Sequence, residues 1–429
     1  MVQYSQFTHE QLRALKDELE KKYEKFKAEK LSLDMSRGKP APAQLDLSLG
    51  LLDILNSSET LKVEENIDVR NYGVIDGIQE AKKLFADLLH VDPKQVIVGG
   101  NSSLTMMHDT ITRALLHGVV DSIEPWHKLE KVKFLCPSPG YDRHFAICES
   151  LNIEMITIDM LSDGPNMNQV EELVSKDPSI KGIWCVPKYS NPEGTTYSDE
   201  VVDRLANMKT KAPDFKIFWD DAYTIHHLTD EHAQLKDILE TCQKAGNPNR
   251  VFIFASTSKI TFPGSGVAVM AASEDNIQFV KQQLAFQSIG PDKLNQLRHV
   301  RYFQTIDGIH HHMKRHAELI KPKFDLVLQI LQTNLATLDI ATWSKPKGGY
   351  FISLNTMDGC AKNVVQLAKE AGVTLTNAGA TFPYGKDPND RNIRIAPTYP
   401  TLSELETAMD VLCVCIQIAS INKLLQSSK

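Results

Sequence analysis

The chain has 429 residues, which is too long for one simple core, so two domains or one large domain with a smaller appendage are expected. Hydrophobic residues make up 42% of the chain and charged residues 24%, the ordinary composition of a soluble globular protein. The formal net charge of −7 argues against nucleic-acid binding, because proteins that bind the phosphate backbone carry a basic face.

Cysteine spacing and the N-terminal residues bear on the compartment. The seven cysteines form no C-x-x-C pair and show no zinc-ligand spacing with histidines: Cys136, Cys148, Cys185, Cys242, Cys360, Cys413 and Cys415. Such a scattered, odd set is typical of reduced, buried thiols in the cytosol, and no metal site is expected. Residues Met1–Lys30 are charged and lack the apolar core of a signal peptide, and no apolar run approaches the length of a bilayer span. We therefore expect a cytoplasmic protein without a membrane partner.

In chain order, the predicted elements begin with an amphipathic helix. Apolar residues at three- and four-residue spacings predict a helix over Thr8–Lys30, and glycine and proline in Met35–Pro40 end it. From about residue 95, short apolar strands alternate with helical patterns, the first of them Leu104–Leu116. The seven predicted strands are Gln95–Val98, Val132–Cys136, Ile153–Ile158, Gly182–Val186, Phe215–Trp219, Val251–Ala255 and Gly266–Ala271. This alternation indicates an α/β fold with a mostly parallel seven-stranded sheet under crossover helices.

The pattern changes near Gln304. The predicted elements after it are a long helix over His310–Gln332, strands within Ala341–Trp343 and Gly348–Leu354, a helix near Asn363–Ala371, a strand at Asn392–Ala396 and a helix from Ser403. These elements indicate a smaller α+β domain that packs with the N-terminal helix. We therefore expect a large domain over residues 45–305 and a small domain made of residues 1–44 and 306–429.

Three polar motifs each follow an apolar run of the predicted sheet: Asn191–Gly194, Asp220–Tyr223 and Ser256–Lys259. Each has an ordinary explanation on its own, since a lone lysine or aspartate after a strand is usually a surface or helix-capping residue. However, the motifs are separated by one to two strand–helix units, and ligands collect at the carboxyl ends of parallel strands. An amine, a carboxylate, a phenol and a carboxamide are therefore expected to converge.

This ordered series resembles the fold-type I pyridoxal-phosphate enzymes, specifically the class I/II aminotransferase superfamily, over nearly the whole chain. The resemblance implies pyridoxal 5′-phosphate as the cofactor, held by Lys259 as a Schiff base. It implies that Asp220 contacts the pyridine nitrogen and keeps the ring protonated as an electron sink. Tyr223 and Asn191 would hydrogen-bond the ring's 3-oxygen, and Asn191 would also face the substrate. Asp221 is expected to be a cap or a solvent-side partner, with a contact to the ring as the alternative.

Other positions match the family on the cofactor side. The segment Asn101-Ser102-Ser103 precedes a predicted helix and resembles the family's phosphate cup, where backbone N–H groups and the helix dipole hold the phosphate. Tyr141 matches the aromatic residue that stacks on the cofactor ring, and His144 matches the histidine behind the pyridine-binding aspartate. Tyr72 matches the tyrosine that reaches the phosphate of the neighbouring subunit, which implies a homodimer with active sites at the subunit interface.

The substrate side also has matching positions. Arg394 matches the arginine that grips the substrate α-carboxylate as a bidentate fork, and Gly38 matches the glycine whose backbone meets the substrate. A dicarboxylic substrate needs a second cation. Arg37 is the first candidate for it, with Arg70 and Arg143 behind it.

One departure from the family concerns the phosphate. Most relatives have an arginine eight residues after the lysine, whereas Val267 occupies that position here. The phosphate charge is then expected to rest on Ser256, Ser258, the helix start at Ser102 and Ser103, and another cation.

The segments Met35–Pro40, Gly99–Ser103 and Tyr223–His227 are similar to a bacterial subgroup of aspartate aminotransferases, also labelled MocR-like. This similarity implies an aspartate transaminase that moves the α-amino group of L-aspartate to 2-oxoglutarate and gives oxaloacetate and L-glutamate. The two half-reactions would follow a ping-pong mechanism.

The alternatives are an aminotransferase for aromatic or neutral amino acids, and a β-lyase or decarboxylase on the same fold. A cofactor-sensing regulator would need a DNA-binding domain, and too short a segment precedes Met35 for one. The run His310–His312 with His316 could imitate a metal cluster, but adjacent histidines on a helix face different ways. His226 and His227 are expected to be structural groups near Tyr223.

Overall fold

The structure is a computed structural model, and it describes residues 3–426. Its α-helices are α1 (His9–Ala28), α2 (Pro42–Asp46), α3 (Gln79–Leu89), α4 (Ser103–His117), α5 (Asp142–Ser150), α6 (Met167–Lys176), α7 (Asp199–Asn207), α8 (Ile238–Lys244), α9 (Glu274–Gln287), α10 (Lys293–Phe303), α11 (Ile306–Leu335), α12 (Ala361–Glu370) and α13 (Leu402–Gln426). Its strands are β1 (Leu33–Asp34), β2 (Val96–Val98), β3 (Lys133–Ser138), β4 (Glu154–Leu161), β5 (Gly164–Pro165), β6 (Ile180–Cys185), β7 (Lys216–Asp220), β8 (Val251–Ser256), β9 (Ala268–Ala272), β10 (Ala341–Trp343), β11 (Ile352–Thr356), β12 (Val373–Thr374) and β13 (Asn392–Ile395).

The central sheet has the strand order β2-β9-β8-β7-β6-β3-β4-β5. Strands β8, β7, β6, β3 and β4 run parallel, while β9 is antiparallel to both β2 and β8. All seven predicted strands are present, and the eighth, β5, is a two-residue strand at the edge. The predicted α/β class is confirmed.

The two faces of this sheet pack in separate cores because successive side chains of a strand point to opposite faces. On one face, Trp219 and Ile253 pack with residues of α3, α7, α8 and α10. On the other, Phe218 and Phe254 pack with residues of α4, α5 and α9. The side chain of Asp220 follows the second face.

The chain after residue 335 adds a smaller α+β region. Strands β10, β11 and β13 form an antiparallel sheet, and β1 pairs in parallel with β12, so the N-terminal segment joins this region. A third core holds residues of α1, α12, α13 and this sheet. The predicted division at residues 44/45 and 305/306 stays a prediction.

Helix α11 packs in two of the cores. Ile309 and Met313 belong to the first core, on one face of the large sheet, whereas Ile320 and Phe324 belong to the third. Pro322 lies inside the helix, between the residues that enter the third core. One continuous helix therefore joins the two regions.

Helix α13 is long and apolar enough to cross a membrane by length and composition, so the expectation that no apolar run approaches the length of a bilayer span is wrong for this helix. It is the one such helix among residues 3–426. Of its most apolar window, 67% is buried. The helix packs against α1, α11 and α12, which accounts for its apolar residues. All seven cysteines are buried and unbridged.

Candidate active site

Neighbouring parallel strands end at one edge of the large sheet and deliver the predicted site residues there. Asp220 is the last residue of β7, and Lys259 follows β8 by three residues. Asn191 lies in the loop after β6, and Tyr141 lies between β3 and α5. The convergence predicted from the sequence therefore rests on the adjacency of β3, β6, β7 and β8.

The buried carboxylate of Asp220 has one oxygen paired and one free for a ligand. His144 Nε2 lies 2.9 Å from Asp220 Oδ2, and the His144 ring stacks on Trp184 at 4.2 Å between centroids. Asp220 Oδ1 is buried and has no hydrogen-bond partner. Because an unpaired buried acceptor is costly, this oxygen fits a donor such as the protonated nitrogen of a pyridine ring.

The amine of Lys259 lies over two phenol rings. Its Nζ is 5.1 Å from the centroid of Tyr223 and 5.9 Å from that of Tyr350. Burial lowers the pKa of Lys259, and the negative charge of Asp220 partly opposes this. A lowered pKa increases the fraction of neutral amine, the form that attacks a carbonyl.

Arg394, in β13, is 6% exposed and already has several partners. Its Nη1 donates to Asp142 Oδ1 at 2.8 Å and to Asn191 Oδ1 at 3.2 Å, and its Nη2 donates to Thr376 Oγ1 at 3.2 Å. Its guanidinium carbon lies 4.8 Å from the centroid of the Phe351 ring. A carboxylate thus already neutralises this guanidinium.

The predicted phosphate cup lies at the start of α4. Ser102 is the N-cap residue, and its side chain accepts from the Thr105 N–H at 3.4 Å. Asn101 Nδ2 donates to the carbonyl of Gly264, which lies in the loop between β8 and β9. In the turn Ser256–Lys259, which we call the lysine turn, Ser256 Oγ donates to Ser258 Oγ at 2.9 Å. The start of α4 therefore offers helix N–H groups to a phosphate, and the turn that carries Lys259 offers hydroxyls.

Val267 occupies the position where most relatives have an arginine, and its side chain is in the core. It is 1% exposed and belongs to the first core. Its N–H donates to Thr257 Oγ1 at 2.9 Å, and its carbonyl accepts from the Thr257 N–H at 2.8 Å. Val267 therefore offers no cation to the phosphate.

The other predicted residues differ in their exposure. Gly38 has no space for a side chain, since a Cβ there would lie 2.4 Å from Phe351 Cζ. Arg37 is exposed, and Tyr72 is 80% exposed. Tyr141 lies edge-on to His144 at 4.9 Å between centroids, and burial raises the pKa of its phenol to about 12.

Asp221 does not share the surroundings of Asp220. It lines a cavity of about 230 Å³ that also contains Lys188, His227 and His232. Burial raises the pKa of Asp221 to about 6. The two adjacent carboxylates therefore face different surroundings, and of the two only Asp220 contacts His144.

The two adjacent histidines, His226 and His227, contact different tyrosines. The His226 ring lies 5.6 Å from that of Tyr223, whereas His227 Nδ1 lies 2.7 Å from Tyr189 Oη. Across residues 3–426, no group of three or more His, Cys, Asp or Glu side chains could hold a metal ion.

Sequence reasoning missed residues that contact the predicted ones: Asp142, Trp184, Tyr350, Phe351 and Thr376. Asp142 lies beside Tyr141 in the chain, which was a usable signal. Thr376 and Phe351 gave none, because their roles depend on how the smaller region packs.

The chain is similar to known proteins over nearly its whole length. Residues 7–428 match the family described as aspartate amino-transferase.

The chain belongs to this aminotransferase family.

It is 45% identical over 419 residues to the aspartate aminotransferase of Corynebacterium glutamicum, with 98% of this chain and 96% of the relative covered. The crystal structure of an aspartate transaminase from Corynebacterium glutamicum superposes with a TM-score of 0.96 at 44% identity, covering 99% of each chain. LysN, the α-aminoadipate aminotransferase of Thermus thermophilus, was solved with N-(5′-phosphopyridoxyl)-L-leucine and has a TM-score of 0.73. At 19% identity over 92% of this chain and 93% of LysN, it supports the fold alone.

The protein is therefore a pyridoxal-phosphate-dependent aminotransferase that acts on an amino acid and a 2-oxo acid. The residues present fit the cofactor. The unpaired Asp220 Oδ1 suits its pyridine nitrogen, the neutral form of Lys259 suits its aldehyde, and the start of α4 suits its phosphate.

Proposed function

We propose that this aminotransferase moves the α-amino group of L-aspartate to 2-oxoglutarate and releases oxaloacetate and L-glutamate in a ping-pong cycle. The observation that carries the proposal is the buried Arg394, held by Asn191 and Thr376 at the edge of the site where Lys259 lies. A guanidinium in this setting suits an α-carboxylate. The choice of aspartate rests on the relative of that name at 45% identity.

Pyridoxal phosphate, when bound, supplies an aldehyde for the amine and a protonated ring that accepts the electron pair left at the α-carbon. Lys259 Nζ then takes the α-proton as general base and returns it as general acid. Its lowered pKa keeps a share of the amine neutral for the first of these roles. The faces of the Tyr223 and Tyr350 rings border Lys259 Nζ.

Asp220 keeps its charge directed at the pyridine nitrogen because His144 anchors its other oxygen. His144 is in turn held against Trp184. Removal of the carboxylate charge would leave the ring nitrogen without a counter-ion, so these residues act on the electron-accepting capacity of the site.

The distal carboxylate of aspartate needs a second cation. Arg37 is our first candidate, since it is exposed and directly precedes Gly38, which touches Phe351 beside Arg394. Arg70 is paired with Asp68 at 2.6 Å, which makes it a weaker candidate. Arg143 is also exposed, and we rank it after Arg37 as a candidate.

We also propose a cytoplasmic homodimer in which Tyr72 contributes to the site of the partner subunit. At 80% exposure, the Tyr72 side chain is available to a neighbouring chain. Sedimentation analysis would measure the oligomeric state, and a monomer at micromolar concentration would contradict this part.

The experiment that tests the function is a half-reaction. Holoenzyme should change its cofactor absorbance from the aldehyde form to the amine form on addition of L-aspartate, and 2-oxoglutarate should restore it. Borohydride reduction followed by peptide mapping should place the cofactor on Lys259. Conversion by aromatic but not dicarboxylic amino acids would contradict the substrate, and release of pyruvate or carbon dioxide without a 2-oxo acid would indicate a lyase or decarboxylase.

A further inference from the structure

A set of buried polar side chains lies behind the lysine turn, and Ser48 Oγ borders it at 3.3 Å from His312 Nε2. Tyr350 Oη lies 3.5 Å from the carbonyl oxygen of Lys259, and His312 Nε2 lies 2.8 Å from the carbonyl oxygen of Ile260. Gln44 and His316 connect these two anchors, through Gln44 Nε2 to Tyr350 Oη at 2.9 Å and to His316 Nδ1 at 3.1 Å. His316 Nε2 lies 3.2 Å from His312 Nε2, and both nitrogens lie at the Ile260 carbonyl. We call these four side chains the lysine clamp.

The hydrogen positions in the clamp follow from its fixed partners. The Ala41 N–H can only donate, so the Gln44 atom 3.0 Å from it is the acceptor Oε1. The Gln44 amide nitrogen therefore donates to both Tyr350 Oη and His316 Nδ1. Consequently His316 Nδ1 carries no hydrogen, and its proton is on Nε2.

The same reasoning fixes the other half of the clamp. The Ile260 carbonyl can only accept, so His312 Nε2 carries a hydrogen. Tyr350 accepts from Gln44 and thus has its own hydrogen free for the Lys259 carbonyl. Both Nε2 atoms then carry a hydrogen, so their 3.2 Å contact is not a hydrogen bond, and both N–H groups are directed at the Ile260 carbonyl. Burial lowers the pKa of both histidines, that of His316 to about 3, which favours their neutral forms.

All four members of the clamp are at most 4% exposed, and they come from three separate segments. Gln44 lies in α2, the two histidines lie in α11, and Tyr350 precedes β11. Each holds or supports a main-chain carbonyl at the residue that carries the amine or the next residue. Buried polar side chains that are tied to fixed main-chain groups in this way hold one geometry.

We propose that the four side chains of the lysine clamp are positioning residues. They fix the main chain of Lys259 and Ile260 and thereby hold Lys259 Nζ where it can take the α-proton of the substrate and return it. The proposal rests on the role proposed for Lys259. The clamp does not touch Arg394, so its loss should lower kcat and leave KM for the amino donor unchanged.

Tyr350→Phe is the sharpest test because it removes one hydroxyl and keeps the ring that borders Lys259. We expect hydrogen exchange of the backbone amides in residues 257–262 to rise about fivefold and kcat to fall about fivefold, the factor that one net hydrogen bond of about 1 kcal/mol corresponds to. Tyr23→Phe is the matched control, since the Tyr23 hydroxyl donates to the Leu367 carbonyl at 2.9 Å in the smaller region. It should change thermal stability without changing kcat or exchange in residues 257–262.

His312 offers a rescue pair. His312→Leu removes the donor to the Ile260 carbonyl, whereas the amide of His312→Gln can place an N–H near the position of Nε2. We expect exchange and kcat to move in the direction of Tyr350→Phe for the leucine variant and back toward wild type for the glutamine variant. If His312→Leu does not fold, the phenylalanine and glutamine variants still decide.

Unchanged exchange in residues 257–262 and unchanged kcat in Tyr350→Phe, with a stability loss like that of Tyr23→Phe, would overturn the proposal. A wrong assignment of Lys259 itself would give a different result, because borohydride reduction would then attach the cofactor to another lysine. The exchange measurement can be made on the enzyme without substrate, so it does not depend on the choice of aspartate.

Discussion

The candidate active site has two halves that are built in different ways. The cofactor half consists of Asp220, His144, Trp184 and Lys259, which all follow or lie in neighbouring strands of one sheet or in the helix after them. The substrate half consists of Arg37, Asp142, Thr376 and Arg394, which come from distant segments and include exposed side chains. The first half leaves a buried acceptor free, whereas the second has its main cation already neutralised.

This difference suggests a division of labour. The cofactor half holds a fixed group in a fixed place, so burial and a ready-made unpaired oxygen are suitable. The substrate half must bind and release a carboxylate in every cycle. A partly exposed counter-ion such as Asp142 suits that task because water can solvate its carboxylate once the carboxylate of the substrate takes its place on the guanidinium.

The largest expected effect lies in the cofactor half. Lys259→Ala removes both the covalent attachment and the proton carrier, so kcat for transamination should fall by at least about 10⁴-fold. Steady-state assays with L-aspartate and 2-oxoglutarate would measure it. Lys133→Ala, at the opposite end of the sheet, is the control and should keep full activity. Substantial activity in Lys259→Ala would contradict the assignment.

Asp220→Asn and Asp221→Asn compare two adjacent buried carboxylates. The asparagine at position 220 keeps the shape but loses the charge that faces the pyridine nitrogen, so kcat should fall by about 10²- to 10³-fold. The asparagine at position 221 should have little effect, since that side chain faces the cavity with Lys188. The reverse order of effects would show that Asp221 is the residue that contacts the ring.

In the substrate half, Arg394→Lys should raise KM for both substrates and lower kcat/KM by about 10²-fold, because lysine cannot form the bidentate pair with a carboxylate. Arg391→Lys, three residues earlier and paired with Asp358 at 3.7 Å, is the matched control. A loss confined to kcat would argue against a role for Arg394 in binding the carboxylate.

The smallest expected effect is the most informative about the substrate half. Asp142→Asn removes the carboxylate that competes for Arg394 Nη1, so KM for aspartate should fall about fivefold, which corresponds to about 1 kcal/mol for a partly exposed ion pair. Initial-rate measurements at several aspartate concentrations would detect it. A higher KM would instead assign Asp142 to the orientation of the guanidinium.

The same contrast explains what could be read from the sequence. The strands of the large sheet and the motifs at their ends were predictable, because the apolar runs are local and parallel strands force their carboxyl ends together. Asp220 and Lys259 are each anchored to such a run, and the structure places them side by side through β7 and β8.

The contacts of the substrate half and of the lysine clamp were not predictable. Arg394 meets Asp142 across 252 positions, and Gln44 meets Tyr350 across 306. No local periodicity records such contacts, since they depend on how the smaller region packs on the sheet. Of the α11 histidines that could imitate a metal cluster, His312 and His316 lie behind the lysine turn.

Helix α11 links these observations through its proline. A straight helix of its 30 residues is about 45 Å long, yet Pro322 has no N–H to offer the carbonyl one turn before it. The helix is therefore weakest near Pro322, which lies six residues after His316 and between the residues that enter the third core. Because Tyr350 lies in the smaller region and bonds the Lys259 carbonyl, a bend at this joint would move Arg394 and one anchor of the proton carrier together.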